Sequence, residues 1–296
     1  MHQALKTSPN DKRMLPYGGS FSIQDTQVIE FITGLNLTNS LWVDDINYQF
    51  CEKYLEWITD TKNNVFKGLE NFPYKLYSNG TSQTFDLFYI KNKNRRFRCL
   101  RGEYIYHQLA WRNSWPDWKF IDDLDLESND AVVLSLPFAD TGDEHKLKEI
   151  LAACEEKNIP VLIDCAYFGT CKNIEFDLSY NCITDVAFSL SKIFPVAHAR
   201  IGMRLTKHDD DDLMLVYDKI NYNNRIGAKL GLELITNFNS DYICNKYAAK
   251  QLLLCNQLDV TPSKTILFGL DFQNKYTEYN RGGSANRLGL HKVLNV

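Results

Sequence analysis

The middle of this chain predicts an α/β fold: a three-layer sandwich on a mostly parallel central sheet, with a smaller α+β domain beside it. Three observations carry that expectation. First, "AVVLSLPF" (131–138), "IPVLIDCAYF" (159–168) and "DVAFSLS" (185–191) are apolar runs of strand length. Strands that are apolar throughout, rather than alternating, belong to a parallel sheet covered on both faces. Second, "TGDEHKLKEILAACEEKN" (141–158) lies between the first two runs. Its Leu147, Ile150, Leu151 and Cys154 fall on one helical face, and Thr141 and Glu144 have the spacing of a capping box. Third, Asp164, Tyr167, Ser191 and Lys192 stand at or just past the ends of such strands. In open parallel sheets, ligands bind beyond the carboxyl ends of the strands.

The remaining elements follow in order. "INYQFCEKYLEWITDTK" (46–62) reads as a helix, and "LYSNGTSQTFDLFYIKNK" (76–93) as a strand end, a glycine turn and a helix opening near Thr81. "FRCLRGEY" (97–104) reads as a following strand. Beyond Gly202 the character changes. "DDLMLVYDKINY" (211–222) and "DYICNKYAAKQLLLCNQL" (241–258) look helical, whereas "KTILFGLDF" (264–272) and "NRLGLHKVL" (286–294) look like strands. These features divide the chain into a large domain over 41–204 and a smaller one from 1–40 and 205–296. No internal repeat or low-complexity tract interrupts it.

Composition bounds the function. The chain has 296 residues, 44% hydrophobic and 24% charged, with a formal net charge of -4. That balance suits a soluble globular protein and opposes a general nucleic-acid or membrane-surface binder, which needs a positive field. The opening "MHQALKTSPNDKRMLPYGG" has no apolar run suited to a signal peptide, and no segment reaches the roughly 18 apolar residues of a membrane span. The eight cysteines show no CxxC spacing, so reduced thiols and a cytoplasmic location are expected rather than a disulfide framework or structural zinc. The sequons at Asn36 and Asn79 are discounted on the same ground. "HDDDD" (208–212) is read as a solvated loop and helix start, not a metal site.

Four motifs carry chemistry: "SNGTSQ" (78–83), "DTG" (140–142), "DCAY" (164–167) and "SLSKIFPVAHARIG" (189–202). Each has a physical reading of its own. Gly80 permits close backbone approach, and the first amides of a helix after it, with Thr81 and Ser82, suit an anion. The fork of Arg200 suits a phosphate better than an ammonium does. Lys192 follows a buried strand, where desolvation lowers an amine's pKa. In this order the motifs resemble the fold-type-I pyridoxal-phosphate enzymes, specifically the aspartate-aminotransferase-like group, over roughly 77–202.

The resemblance implies pyridoxal 5'-phosphate held as a Schiff base by Lys192, which then shuttles a proton at substrate Cα. It implies Asp164 against the pyridine nitrogen and Tyr167 on the ring oxygen. Gly80, Thr81, Ser82, Ser189 and Arg200 would hold the phosphate. Tyr104 would stack on the ring, with Tyr106 next in line. Arg287, or failing it Arg281, would grip a substrate carboxylate. The implied partners are an amino acid, a keto acid and a second copy of the chain.

One position departs from the pattern. The family's asparagine-proline-threonine-glycine stretch is here Ala139-Asp140-Thr141-Gly142, so the amide that contacts the ring oxygen is missing unless Asp140 substitutes. An aminotransferase is the first expectation. Elimination or cyclisation on the same scaffold, or a non-catalytic binding protein, are the alternatives. A nicotinamide dehydrogenase is disfavoured because no G-x-G-x-x-G follows a strand.

Overall fold

In the computed structural model, residues 15–114, 118–209 and 212–295 are described. The strands are β1 (Val65–Lys67), β2 (Tyr74–Ser78), β3 (Arg96–Cys99), β4 (Trp118–Phe120), β5 (Asp130–Ser135) and β6 (Val161–Asp164). They continue as β7 (Glu175–Asp177), β8 (Ile183–Ser189), β9 (Gly202–Thr206), β10 (Thr261–Pro262), β11 (Phe268–Asp271) and β12 (Asn286–Gly289). The longer helices are α1 (Thr26–Thr33), α2 (Ile46–Thr59), α3 (Thr81–Lys91), α4 (Ile105–Ser114) and α5 (Leu147–Glu156). Then come α6 (Leu213–Lys219), α7 (Arg225–Asn237), α8 (Tyr242–Leu258) and the short α9 (His291–Leu294).

Seven strands form the main sheet in the order β2-β9-β8-β6-β5-β3-β4. Neighbours from β8 to β4 pair in parallel, and β9 runs antiparallel to both β8 and β2. The expected mostly parallel sheet is therefore present. Its apolar strands are explained by cover on both faces. Val132, Leu134, Ile163 and Phe188 join a core with Phe50, Tyr54 and Trp57 of α2, the buried face of α5, and Leu230 and Leu234 of α7. Ala131, Val133, Leu162 and Ala187 face the other way, onto Phe85, Phe88 and Tyr89 of α3.

Beside this sandwich lies a three-stranded antiparallel sheet, β10-β11-β12, packed with α8. The Gln251 amide of α8 reaches the carbonyls of Ser263, Thr265 and Phe268 and holds the strand approach in place. The N-terminal segment crosses to the same sheet: Gly289 N–H donates to Tyr17 O at 2.8 Å. Asp25 caps α1 and pairs with Lys246 of α8 at 2.6 Å.

Three local expectations need correction. The capping box does not form: Thr141 Oγ1 donates to Asp143 at 2.7 Å, Glu144 bonds Lys264 and the Glu175 amide, and α5 begins only at Leu147. A side chain two residues away outcompetes the helix start. "NRLGLHKVL" is a strand only to Gly289 and then turns into α9. A helix not expected from the sequence, α7, lies against α2. In "HDDDD", Asp212 caps α6 and pairs with Arg204 at 2.5 Å, while Asp210 and Asp211 lie outside the described residues.

The α2–α7 contact is close because Gly231 has no side chain. A Cβ there would stand 2.5 Å from Phe50 Cε2 and 2.8 Å from Ile201 Cγ2. Gly231→Ala gains about 1 kcal/mol of helix propensity but overpacks a core, at about 1–3 kcal/mol. A net loss of ~1 kcal/mol is expected, read as a lower urea midpoint at unchanged slope. A raised midpoint would mean that Phe50 yields freely.

Candidate active site

The carboxyl ends of β5, β6 and β8 meet the start of β9 along one edge of the sheet. Ser135, Asp164 and Ala187 are register partners, as are Ser78, Gly202 and Ser189. Side chains in register point to the same face, and for these residues it is the α3 face. Every motif residue from 78 to 202 converges on this edge because the strands that carry them are adjacent.

The loop between β8 and β9 is closed at its base by Leu190 N–H on Ile201 O at 3.1 Å. It carries both Lys192 and Arg200. Lys192 is partly covered, and its Nζ donates to the carbonyl of Ser20 in the N-terminal segment. The ammonium lies 5.9 Å from the centre of the Tyr167 ring and 5.5 Å from that of Phe21. Desolvation holds the amine below its ordinary pKa, and Arg287 adds to that, while Tyr167 and Asp164 oppose it. For Tyr167, burial alone pushes the phenol up, but Lys192 and Arg287 more than offset it and hold it below its usual value.

Asp164 is buried at the end of β6, with one oxygen accepting Ala166 N–H at 3.0 Å. Burial raises its pKa to about 7, a neighbouring Glu103 adds to the rise, and Ala166 N–H and Lys192 pull it back. Among the described residues no ion pair reaches it. A dry carboxylate without a cation of its own is costly and is matched to a ligand that brings one.

At the other end of the edge, Gly80 precedes α3 with φ 72°, a conformation that favours glycine. A Cβ there would stand 2.4 Å from Arg200 Nη2. The guanidinium therefore lies flat on the turn, where it donates to Ser82 Oγ at 2.9 Å. Thr81 and Ser82 open the helix, so unpaired amides and a guanidinium face one place, a ready anion site. Tyr77 fixes Arg200 from behind, its hydroxyl donating to the Arg200 carbonyl at 3.0 Å. The Ser189 hydroxyl is engaged within the loop, with Ser191 Oγ at 2.8 Å and Ile201 O at 3.2 Å.

Two guanidiniums close the site from the side of the small sheet. Arg287 of β12 and Arg281 before it both donate to the carbonyl of Ala139, the latter at 2.7 Å, and Arg281 also reaches Glu103 O at 3.1 Å. Arg287 lies 4.4 Å from the centre of the Phe268 ring, and burial, with Arg281 beside it, lowers its pKa to about 10. Asp140 is fully buried against Gly102 and Gly283, 3.8 Å from Arg281 Nη1. Tyr104 remains 43% exposed and stacks on Tyr106 at 6.0 Å.

Lys192, Asp164, Tyr167, Ser189, Arg200, Gly80, Thr81 and Ser82 thus lie along one edge, with Arg287 and Arg281 reaching it from the small sheet. Sequence reasoning missed Glu103 and Ser20. A glutamate between glycine and tyrosine at a strand end, "CLRGEY", was the one available signal for Glu103. Nothing local marks Ser20, whose contact spans 172 residues. Among the described residues no cluster of His, Cys, Asp and Glu is placed to hold a metal, and no helix is long and apolar enough to cross a membrane.

No family model and no curated protein matches the chain. Solved structures do. The pyridoxal-phosphate-bound C-S lyase from Staphylococcus hominis superposes with TM-score 0.67 at 10% identity, over 98% of this chain and 93% of that one. Aminotransferase AspB from Helicobacter pylori gives 0.64 at 14% identity, over 94% and 90%. Histidinol-phosphate aminotransferase from Clostridium acetobutylicum gives 0.57 at 15% identity, over 86% and 81%. The chain has the fold of these enzymes. The resemblance read from four motifs over roughly 77–202 extends at the level of fold to nearly the whole chain, including the small sheet.

The anion site can be tested by itself. Gly80→Ala forces a side chain into a strained conformation costing about 1–3 kcal/mol and displaces Arg200. The thermal stabilisation that inorganic phosphate gives the parent protein should shrink or vanish. An undiminished shift would place the anion elsewhere.

Proposed function

We propose that this protein is a pyridoxal-phosphate-dependent enzyme acting at Cα of an amino acid, in the first place an aminotransferase. The observation that carries the reading is the pairing, on one sheet edge, of a desolvated Lys192 with a buried, cation-free Asp164. The donor set fits the cofactor: an amine for its aldehyde, a carboxylate for its ring nitrogen, and a guanidinium with a helix start for its phosphate. Arg287 Nε is buried with no partner among the described residues, so a donor is unspent.

When bound, the cofactor supplies an aldehyde for amine exchange and a ring that accepts the electrons released at Cα. The chain's residues do the rest. Lys192 would hold the aldehyde carbon, and as a free amine its lowered pKa would suit it to take a proton from substrate Cα and give it to the cofactor carbon. Asp164 keeps the ring nitrogen protonated by offering it a carboxylate. Arg200, the Ser82 hydroxyl and the amides of Thr81 and Ser82 would anchor the phosphate, with Ser189 lining its approach; the Gly80 N–H is already given to Ser78 O at 2.8 Å. Tyr167 donates to the ring oxygen, Tyr104 covers the ring face, and Arg287 takes the substrate carboxylate in a forked pair, with Arg281 as its support.

A twofold dimer and a cytoplasmic location belong to the same reading. Trp42 is 81% exposed and Tyr222 76%, and with Tyr48 and Ile220 they form an apolar surface, tied together where Asn221 bonds Asp44 O and Arg225 bonds Leu41 O. A surface of this kind fits a second copy better than water. Eight free cysteines, all buried, suit a reducing compartment. Domain limits of 41–204 against the remainder belong to the same reading, with β9 running on to Thr206 and α7 packing on α2 of the large part.

Protein mixed with pyridoxal phosphate should turn yellow, and borohydride should fix the cofactor's mass on the peptide bearing Lys192. Lys192→Ala should lower turnover by at least about 10²–10⁴-fold. A wild-type protein that stays colourless overturns the reading. Amine transfer to an added keto acid identifies an aminotransferase. Ammonia released without a keto acid identifies elimination. Trp42→Asp should convert a dimer to a monomer in sedimentation, and a wild-type monomer with full activity removes the dimer.

A further inference from the structure

Glu103 has no part in that reading, yet it is among the most buried charged side chains of the site, at 1% exposure. Its carboxylate accepts the backbone N–H of Ser135 at 2.8 Å and also the Ser135 hydroxyl. Ser135 is the register partner of Asp164 across β5 and β6, and partners in register project from the same face about 5 Å apart. The Glu103 carboxylate is therefore pinned beside the Asp164 carboxylate at a dry strand edge. Neither has an ion-pair partner within 4 Å among the described residues.

We propose that Glu103 is a positioning residue for Asp164: the two carboxylates form a buried dyad that shares one proton, and the charge on Glu103 sets how readily Asp164 ionises. This rests on the cofactor reading only in naming the ligand that Asp164 serves. Two carboxylates in one water-poor place cannot both ionise cheaply, so the proton belongs to the pair. Burial raises Glu103 to about 7, against the two Ser135 bonds and Arg281. Burial and then Glu103 raise Asp164 to about 7, against Ala166 N–H and Lys192. Two other titratable groups that feel the Asp164 charge stay neutral: burial holds Tyr89 of α3 and Cys165 well above their usual values. The function of such a dyad is conditional charge. Asp164 is spared a full negative charge while no cation is present, and it ionises when a protonated ring nitrogen approaches.

The sign of the pH effect follows. Both folded values lie above the model-peptide values of 4.5 and 3.8. The folded state therefore holds the dyad proton more tightly than the unfolded chain does. This contribution is favourable at the acid end and is lost as pH rises through about 7. Glu103→Gln keeps the shape, because the amide oxygen can accept Ser135 N–H and the amide nitrogen can donate to Ser135 Oγ. Ser135→Ala removes one donor from Glu103, so Glu103 holds its proton more tightly and repels Asp164 less.

Two measurements test this. In the first, apoprotein melting temperatures are followed from about pH 5 to 8. The parent should lose stability toward pH 8, and Glu103→Gln should show a flatter slope. In the second, the affinity for pyridoxamine phosphate, which docks without bonding Lys192, is followed by fluorescence quenching. The parent should lose affinity as pH falls through the dyad's range. Glu103→Gln should move that limb about one pH unit lower, a tenfold gain in affinity within it, and Ser135→Ala should move it the same way by less. A merely structural Glu103 would lower melting temperatures in both variants while leaving slope and limb in place, and that result overturns the dyad. Failure of the parent to bind pyridoxamine phosphate at all overturns the cofactor reading instead, and the apoprotein slope then decides for or against the dyad alone.

Discussion

At the edge of the sheet where the site lies, three strands meet at Gly202 with no room for one more carbon. A Cβ there would stand 2.6 Å from the Phe188 carbonyl, 2.8 Å from Ser78 Oγ and 3.1 Å from Gly80 Cα. That close approach sets the register of β2 and β8 on β9, and everything chemical hangs from it. It brings the Gly80 turn against the loop that carries Lys192 and Arg200. It also lets the Arg200 guanidinium rest on Gly80, so the helix start and the cation are directed at one place. A backbone constraint, rather than any one side-chain bond, places a lysine and an arginine eight residues apart in the chain at opposite ends of a single site.

The second constraint is electrostatic. Asp164, Glu103 and Asp140 are buried at this edge together with Arg287, while Lys192 and Arg281 are partly covered. These acids and bases are not paired off one to one. Arg281 spends its donors on the carbonyls of Ala139 and Glu103, and Lys192 spends one on Ser20. The cations are thus partly satisfied by backbone carbonyls, and Asp164 and Glu103 by backbone N–H groups, while neither oxygen of Asp140 has a hydrogen-bond partner among the described residues. Buried charges in that state are poor contributors to stability and good instruments for binding, because a ligand can complete them.

How much of this could be read from the sequence depends on the range of the interaction. The apolar runs at 131–138 and 159–168 announced a covered parallel sheet because burial on two faces leaves a local trace in every residue. The nearness of Lys192, Asp164 and Arg200 was legible through the resemblance of four motifs, which lie at the ends of adjacent strands. The capping box at Thr141 misled because Asp143 competes for the same hydroxyl, a local rivalry that spacing rules do not weigh. Helix α7 was passed over although its apolar positions have helical spacing, and its two glycines make sense only once Phe50 and Tyr77 are seen against it. Glu103 and Ser20 stayed hidden because their roles arise from partners 32 and 172 residues away.

Position 139 bears on the outcome of the proposed chemistry. An asparagine there has an amide to give to the ring oxygen; alanine has none, and its carbonyl is instead held by Arg281 and Arg287. Asp140 does not take over the task of a donor, since its buried carboxyl lies between Gly102 and Gly283 beside Arg281. The duty then falls on Tyr167. Lys192 and Arg287 hold that phenol below its ordinary pKa despite its burial, and a more acidic phenol is a stronger hydrogen-bond donor. Two cations next to one tyrosine therefore offset part of what the missing amide supplied. In the proposed site the same two cations would meet substrate, so substrate binding and the electronics of the ring oxygen would be coupled through Tyr167.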